Sequence, residues 1–161
     1  MYSFALIIAV LYILQTTLAP HMAVFGIVPD LIMSALIAFT IIEGRERGVK
    51  AGIITGIAID LLTAAHFGMY TLTYLYITAA AGSLSMKMIG KNAVTSAAVT
   101  FAAGLMLGAV AAVVVYVLKI DRNILYNLLT APLLGLYNAV FGFVLYFLFD
   151  AAAQLSYRRR F

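Results

Sequence analysis

Few residues of this chain could do chemistry, and those few are scattered. The sequence has no cysteine and two histidines, His21 and His66, which lie far apart between apolar runs. A zinc site needs three or four ligands, and no spacing here supplies them. No phosphate loop, nucleophile set or convincing carboxylate pair is present either. We therefore expect a non-enzymatic protein with no metal and no cofactor.

The composition is that of an integral membrane protein. Of 161 residues, 65% are hydrophobic and 10% are charged, whereas soluble domains carry about 25% charged residues. The net charge is +4, but the basic residues stand at the ends of apolar runs, as membrane topology requires. The charge is thus no indication of a nucleic-acid partner, and membrane lipids are the expected surroundings.

Six apolar runs predict an all-α fold with six transmembrane helices in one domain, 1–161. The spans cover about 3–18, 28–42, 49–65, 69–86, 93–118 and 124–149, and a span needs about 17–25 residues. Nearly all lysines and arginines fall in loops on one side if both termini lie there. The exceptions are Lys119 and Arg122. Because basic loops stay inside, both termini are predicted to be cytoplasmic.

Glycines recur at every fourth position along the third predicted helix. Gly44, Gly48, Gly52 and Gly56 form one stripe, and Asp60 takes the next step of the series. Small residues let helix backbones approach closely in lipid. The stripe either packs inside the chain's own bundle or docks the helix of a separate partner, and we assign Gly48, Gly52, Gly56 and Asp60 to the docking role as a hypothesis.

Asp60 lies deep in its span, where a bare carboxylate would cost a few kcal/mol. We expect it to be protonated, open to water, or hydrogen-bonded to groups such as Gln15 or Thr17. A proton relay would need further acids or a histidine in series, and none is evident. A structural hydrogen-bonding role is therefore favoured over a proton-coupled carrier.

The dipeptide Pro29-Asp30 is typical of a helix start. Proline suits the first helical position, and an acid in the first turn complements the helix dipole. In the last helix, Asn138 is disfavoured against lipid, so its face is predicted to be buried against protein.

The order of these features resembles the rod shape-determining protein MreD family. The matching residues occupy about the first half of the chain, and the second half matches in hydropathy, length and Tyr137-Asn138-Ala139. In chain order they are Gln15-Thr16-Thr17-Leu18, Gly26-Ile27-Val28-Pro29-Asp30-Leu31, Glu43-Gly44, Gly48, Gly52, Gly56, Asp60 and Gly68.

This resemblance implies a scaffold of the bacterial cell-elongation (rod) machinery in the inner membrane. The scaffold would bind MreC, a partner with a single transmembrane helix. Through MreC it would support the wall-synthesis polymerase and transpeptidase, and the MreB filament. The resemblance also implies the six-helix fold of the substrate-binding subunits of energy-coupling-factor transporters.

Two functions are thus weighed for this sequence. In the first, the stripe forms a groove for the partner's helix, with Gln15, Thr17, Pro29, Asp30, Gly44 and Gly68 shaping it. In the second, the chain is a vitamin-binding subunit of a membrane transporter, which its size and span number would also suit. The predicted outer loops are short and poor in the polar groups that such a pocket needs, so the scaffold is favoured.

Overall fold

The computed structural model describes residues 2–24, 26–63, 68–87, 91–117, 119 and 124–158. These ranges are helical apart from short connections. The six helices are α1 (Tyr2–Thr17), α2 (Leu31–Glu43), α3 (Arg45–Thr63), α4 (Met69–Lys87), α5 (Ala93–Val117) and α6 (Ile124–Arg158), with a short 3-10 helix, Ala19–Met22, after α1.

Helix α2 is the centre of the bundle. It packs against each of the other five helices, and nearly all of its 13 residues are buried. A helix that is apolar on every side is expected to lie inside a protein or a membrane. Its burial against protein explains how so short a helix is held.

The other helices surround α2 as two hairpins and a single helix. Helices α3 and α4 pack along each other, and so do α5 and α6, whereas α4 and α5 barely touch. Helix α1 packs on α2, and its Phe4 ring lies 4.2 Å from the Phe39 ring and 6.1 Å from the Phe149 ring of α6. The two hairpins are therefore joined mainly through α2.

The connections alternate between two ends of the bundle. At one end, called here the Gly44 end, Lys91 Nζ donates to the Ile42 carbonyl at 2.8 Å and Tyr146 Oη donates to the Lys91 carbonyl at 2.8 Å. These contacts bring together the α2–α3 turn, the α4–α5 connection and the last part of α6. The opposite end, where α2 begins, is called the Asp30 end.

Two of the described helical segments, Ala93–Val117 and Leu128–Gln154, are long and apolar enough to cross a membrane. The segments Leu6–Thr17 and Leu31–Glu43 are apolar but shorter. Helix α6 continues to Arg158, past residue 149 where the last predicted span ends. Helix α2 begins at Leu31, so the expectation that Pro29 occupies the first helical position is wrong.

Candidate functional site

The glycine stripe of α3 is covered by the chain's own helices. A Cβ atom added at Gly52 would lie 2.7 Å from Thr78 Oγ1 and 2.9 Å from the Tyr74 carbonyl oxygen, both on α4. Gly56 faces the backbone of α4 at Thr71, and Gly48 faces the Thr40 side chain of α2. The groove predicted for a partner's helix is therefore filled. Because glycine has no side chain, α2 and α4 can approach α3 closely at these positions.

Gly44 and Gly68 form turns and do not line this interface. Gly44 has φ +95° and closes α2, its amide donating to the Thr40 carbonyl at 2.9 Å. Gly68 has φ +94° and precedes α4, its carbonyl accepting from the Leu72 amide at 3.0 Å. Positive φ favours glycine at both positions. Gly44 therefore shapes the turn from α2 to α3, and Gly68 shapes the start of α4.

Asp60 caps the start of α4 from the neighbouring helix. Its Oδ1 accepts from the Tyr70 amide at 3.0 Å, and its Oδ2 accepts from the Thr71 amide at 3.0 Å and from Thr71 Oγ1 at 2.5 Å. The first amides of a helix lack partners within the helix, and here a carboxylate supplies them. The expected bonds from Gln15 or Thr17 to Asp60 are wrong, since those side chains bond elsewhere.

Asp30 caps the start of α2 and ties it to α6. Its Oδ1 accepts from the Met33 amide at 2.8 Å, and its own amide donates to Asn138 Oδ1 at 2.8 Å. Ser34 Oγ donates to the Asp30 carbonyl at 2.8 Å. Asn138 is 1% exposed, which confirms the predicted burial of its face. Asp30 is therefore an N-cap residue, just ahead of the first turn.

Gln15 ties α1 to the same helix start. Its Nε2 donates to the Pro29 carbonyl at 2.9 Å, and its Oε1 accepts from the Leu31 amide at 2.7 Å. Thr17 is different, because its hydroxyl donates to the Ile13 carbonyl of its own helix at 2.6 Å. The structure thus brings Gln15, Pro29 and Asp30 together with Asn138, and leaves Thr17 out of the cluster.

A second interface of small residues joins α5 to α6, and it was not predicted from the sequence. A Cβ atom at Gly104 would lie 2.8 Å from the Gly135 Cα atom, and one at Gly108 would lie 2.8 Å from the Ala131 Cα atom. Ser96 Oγ donates to the Gly142 carbonyl at 2.8 Å. The signal was the pair Gly104 and Gly108, four residues apart, which is weak in an alanine-rich helix.

Four charged residues at the Gly44 end form two ion pairs. Arg47 pairs with Glu43, and Lys50 Nζ lies 2.6 Å from Glu46 Oε1. The Lys50 ammonium donates a hydrogen bond to Glu46 and lowers the pKa of that carboxyl below its usual value. Within the described residues no group of histidines and acids could hold a metal ion. His66 lies outside the described residues.

This arrangement defines a helical bundle of the membrane type, in which polar side chains cap helices and join them. The family model of the rod shape-determining protein MreD matches residues 1–155, and the chain belongs to this family. It is therefore a membrane protein of a structural, shape-determining family that is not known for catalysis. No curated protein and no solved structure matches the chain significantly.

Proposed function

We propose that the chain is a non-enzymatic scaffold of the cell-elongation complex in the bacterial inner membrane. It binds the single transmembrane helix of MreC, and through that partner it supports the wall-synthesis polymerase and transpeptidase, the MreB filament and the shape of the cell. The observation that carries the proposal is the family match over residues 1–155.

The same proposal includes six spans with both termini in the cytoplasm. It is supported by the charges at the Gly44 end, where Arg45, Arg47 and Lys50 begin α3 and Lys91 precedes α5. At the Asp30 end, residues 18–30 contain no lysine or arginine. Since lysine and arginine in short loops stay on the cytoplasmic side, the Gly44 end is the cytoplasmic one.

The surface of the bundle suits a scaffold better than a vitamin-binding subunit. Among the described residues, two shallow depressions are open to the outside. One lies over the α2–α3 turn beside Ala153, and the other follows the apolar residues Met106 to Val114 of α5. Small-molecule pockets are concave and bury most of the ligand, with a few placed polar groups.

Co-expression with MreC tests the scaffold directly. A tagged chain extracted in mild detergent should retain MreC, and an unrelated single-span protein expressed at the same level should be lost. In a strain that lacks its own copy, the chain should restore the rod shape. A chain that is folded but retains no MreC would contradict the proposal, and stabilisation by a vitamin from a panel would favour the transport subunit.

A further inference from the structure

The helices of the bundle differ in length, and the two longest form one hairpin. Helices α5 and α6 have 25 and 35 residues, whereas α1 to α4 have between 13 and 19. At about 1.5 Å per residue, α5 is about 37 Å long, and α1 to α4 are about 20 to 29 Å long. The hydrocarbon core of a bilayer is about 30 Å thick. One uniform core, crossed without tilt, therefore cannot match both groups of helices.

The helices are level at the Gly44 end, so the difference in length appears at the opposite end. Lys91, just before α5, bonds to the Ile42 carbonyl near the end of α2. At the other end of α2, Asn138 of α6 accepts from the Asp30 amide, and a Cβ atom at Gly104 would lie 3.2 Å from Asn138 Nδ2. Gly104 is therefore level with the start of α2, and α5 continues for about 20 Å beyond that level.

The exposed apolar face of α3 is short. It is bounded by Lys50 near the Gly44 end and by Thr63 at the end of the helix, and both side chains are exposed. These two residues are about 20 Å apart along the helix. Between them, Ile54 and Leu62 are 60% and 64% exposed. The exposed residues of α3 from Lys50 to Thr63 are called here the short flank.

The exposed apolar face of α5 is longer. Val94 and Val117, near its two ends, are each 68% exposed, and they are about 35 Å apart. The sequence from Phe101 to Val115 carries no polar side chain. The exposed residues of α5 from Val94 to Val117 are called the long flank. Since α3 packs against α2 and α4, and α5 packs mainly against α6, the two flanks meet lipid on different sides of the bundle.

We propose that the bilayer is thinner along the short flank, where its outer headgroups are level with Thr63, than along the long flank, where they are level with Tyr116. The two boundaries differ in height by about 10 Å. Tyr116 is 48% exposed, and tyrosine is enriched at membrane–water interfaces. Lipid adapts to a short apolar surface by thinning. The orientation proposed above makes the thinned side the outer leaflet, and the property goes beyond the scaffold function.

Spin labels at matched heights measure the two boundaries. Gly48 faces Thr40 of the antiparallel helix α2, which places Leu62 about 8 Å beyond the start of α2. Val110 lies about 9 Å beyond the same level on α5. Leu62 and Val110 are 64% and 53% exposed, so a labelled cysteine at either position leaves the core intact. The chain has no cysteine of its own.

Electron paramagnetic resonance in vesicles of dioleoylphosphatidylcholine compares collisions of each label with oxygen and with a water-soluble nickel complex. Relative to oxygen, the label at Leu62→Cys should meet the nickel complex at least about fivefold more often than the label at Val110→Cys, because less hydrocarbon covers it. Leu61→Cys, at a position that is also 64% exposed, repeats the measurement. Equal values on the two flanks would overturn the proposal.

A tilt of the whole bundle in a flat bilayer would also move Leu62 outward, so a second pair of labels is the control. Arg47→Cys and Val94→Cys lie near the starts of α3 and α5 at the Gly44 end, and both native side chains are exposed. Thinning on the outer side leaves these two labels at equal depth. A tilt would bury Arg47→Cys and lift Val94→Cys toward water, and that pattern would refute the thinning.

Lipid thickness provides an independent test. When dimyristoleoylphosphatidylcholine is replaced by dierucoylphosphatidylcholine, the bilayer thickens and the label at Val110→Cys should move deeper. The label at Leu62→Cys should keep its depth, because Lys50 and Thr63 hold the lipid boundaries on the short flank. If both labels deepen equally, the proposal fails. These measurements need no MreC, so their failure and a failure to bind MreC are separate results.

Discussion

At the scale of single residues, two acids of this chain act as helix caps, and one of them, Asp60, caps a neighbouring helix. Asp60 belongs to α3 but holds the first amides of α4, and it is 1% exposed. A helix start within a membrane has no water to satisfy its free amides. The Asp60 carboxylate therefore satisfies the free amides of α4. The same hydrogen bonds offset the cost of burying its own charge.

Replacing Asp60 by alanine should destabilise the start of α4. Asp60→Ala leaves the Tyr70 and Thr71 amides without their side-chain acceptor, and a buried unsatisfied group costs about 1–3 kcal/mol. The melting temperature of the variant in detergent should be several degrees lower. It can be measured by circular dichroism or with a fluorescent dye that does not depend on reaction with thiols. Thr63→Val is the control, because the Thr63 hydroxyl bonds to its own helix at Ile59. Equal melting temperatures for the two variants would contradict the capping role.

The sequence predicted that Asp60 has a structural hydrogen-bonding role, but it did not predict which groups Asp60 bonds. The placement of a lone acid inside an apolar run indicated a hydrogen-bonded carboxyl group. Its partners are two backbone amides and the Thr71 hydroxyl, and any helix start can offer amides whatever its residues. The position of α4 relative to α3 decides the pairing, and that position is a tertiary property.

At the scale of helices, the glycines determine how closely the two helices of each hairpin approach one another. In α3 the glycines face α4 and α2, and the glycines of α5 and α6 each face the opposite helix of that pair. Lipid is as apolar as the side chains that face it, so close packing contributes more to helix association than burial of apolar area does. The regular spacing of the glycines in α3 predicted a face for close helix packing. Which helix packs on that face depends on the tertiary arrangement of the chain.

A methyl group at Gly56 should force α3 and α4 apart. Its Cβ atom would meet the Thr71 backbone and would lie 3.0 Å from the Tyr70 carbonyl oxygen, and backbone cannot move aside as a flexible side chain can. Gly56→Ala should therefore destabilise the bundle by about 1–3 kcal/mol. Ala58→Leu, on the exposed face of the same helix, adds more volume and should leave the melting temperature unchanged. An unchanged melting temperature for Gly56→Ala would show that the hairpin is loosely packed.

Substitutions across the α5–α6 interface should be less than additive. Gly104 and Gly135 meet one another, since a Cβ atom on Gly104 would lie 2.8 Å from the Gly135 Cα atom. Either alanine alone should separate the helices, and the second then enters space already opened, so neighbouring sites couple. A double-mutant cycle on Gly104→Ala and Gly135→Ala measures this coupling by thermal unfolding. Strict additivity would mean that the two glycines do not share one contact.

At the scale of the whole molecule, a short buried helix organises the fold. The α2 helix contacts all five others, while the hairpins barely touch each other. Hydropathy alone located the six helices, because apolar runs of that length are typical of helices that cross a membrane. It could not identify α2 as the centre, since a helix that faces lipid and one that faces protein have the same apolar composition.

The proposed orientation makes a final prediction about which ends are accessible from outside. Three single-cysteine variants report it: Met22→Cys at the Asp30 end, and Arg47→Cys and Gln154→Cys at the Gly44 end, all at exposed positions. In spheroplasts, a membrane-impermeant maleimide should label Met22→Cys at once. It should label the other two only after the membrane is opened, because basic loops stay inside. The four helices α3 to α6 lie between Arg47 and Gln154, so both positions should be on the same side of the membrane. Labelling of Gln154→Cys but not Arg47→Cys from outside would require an odd number of spans between them and would contradict the proposed topology.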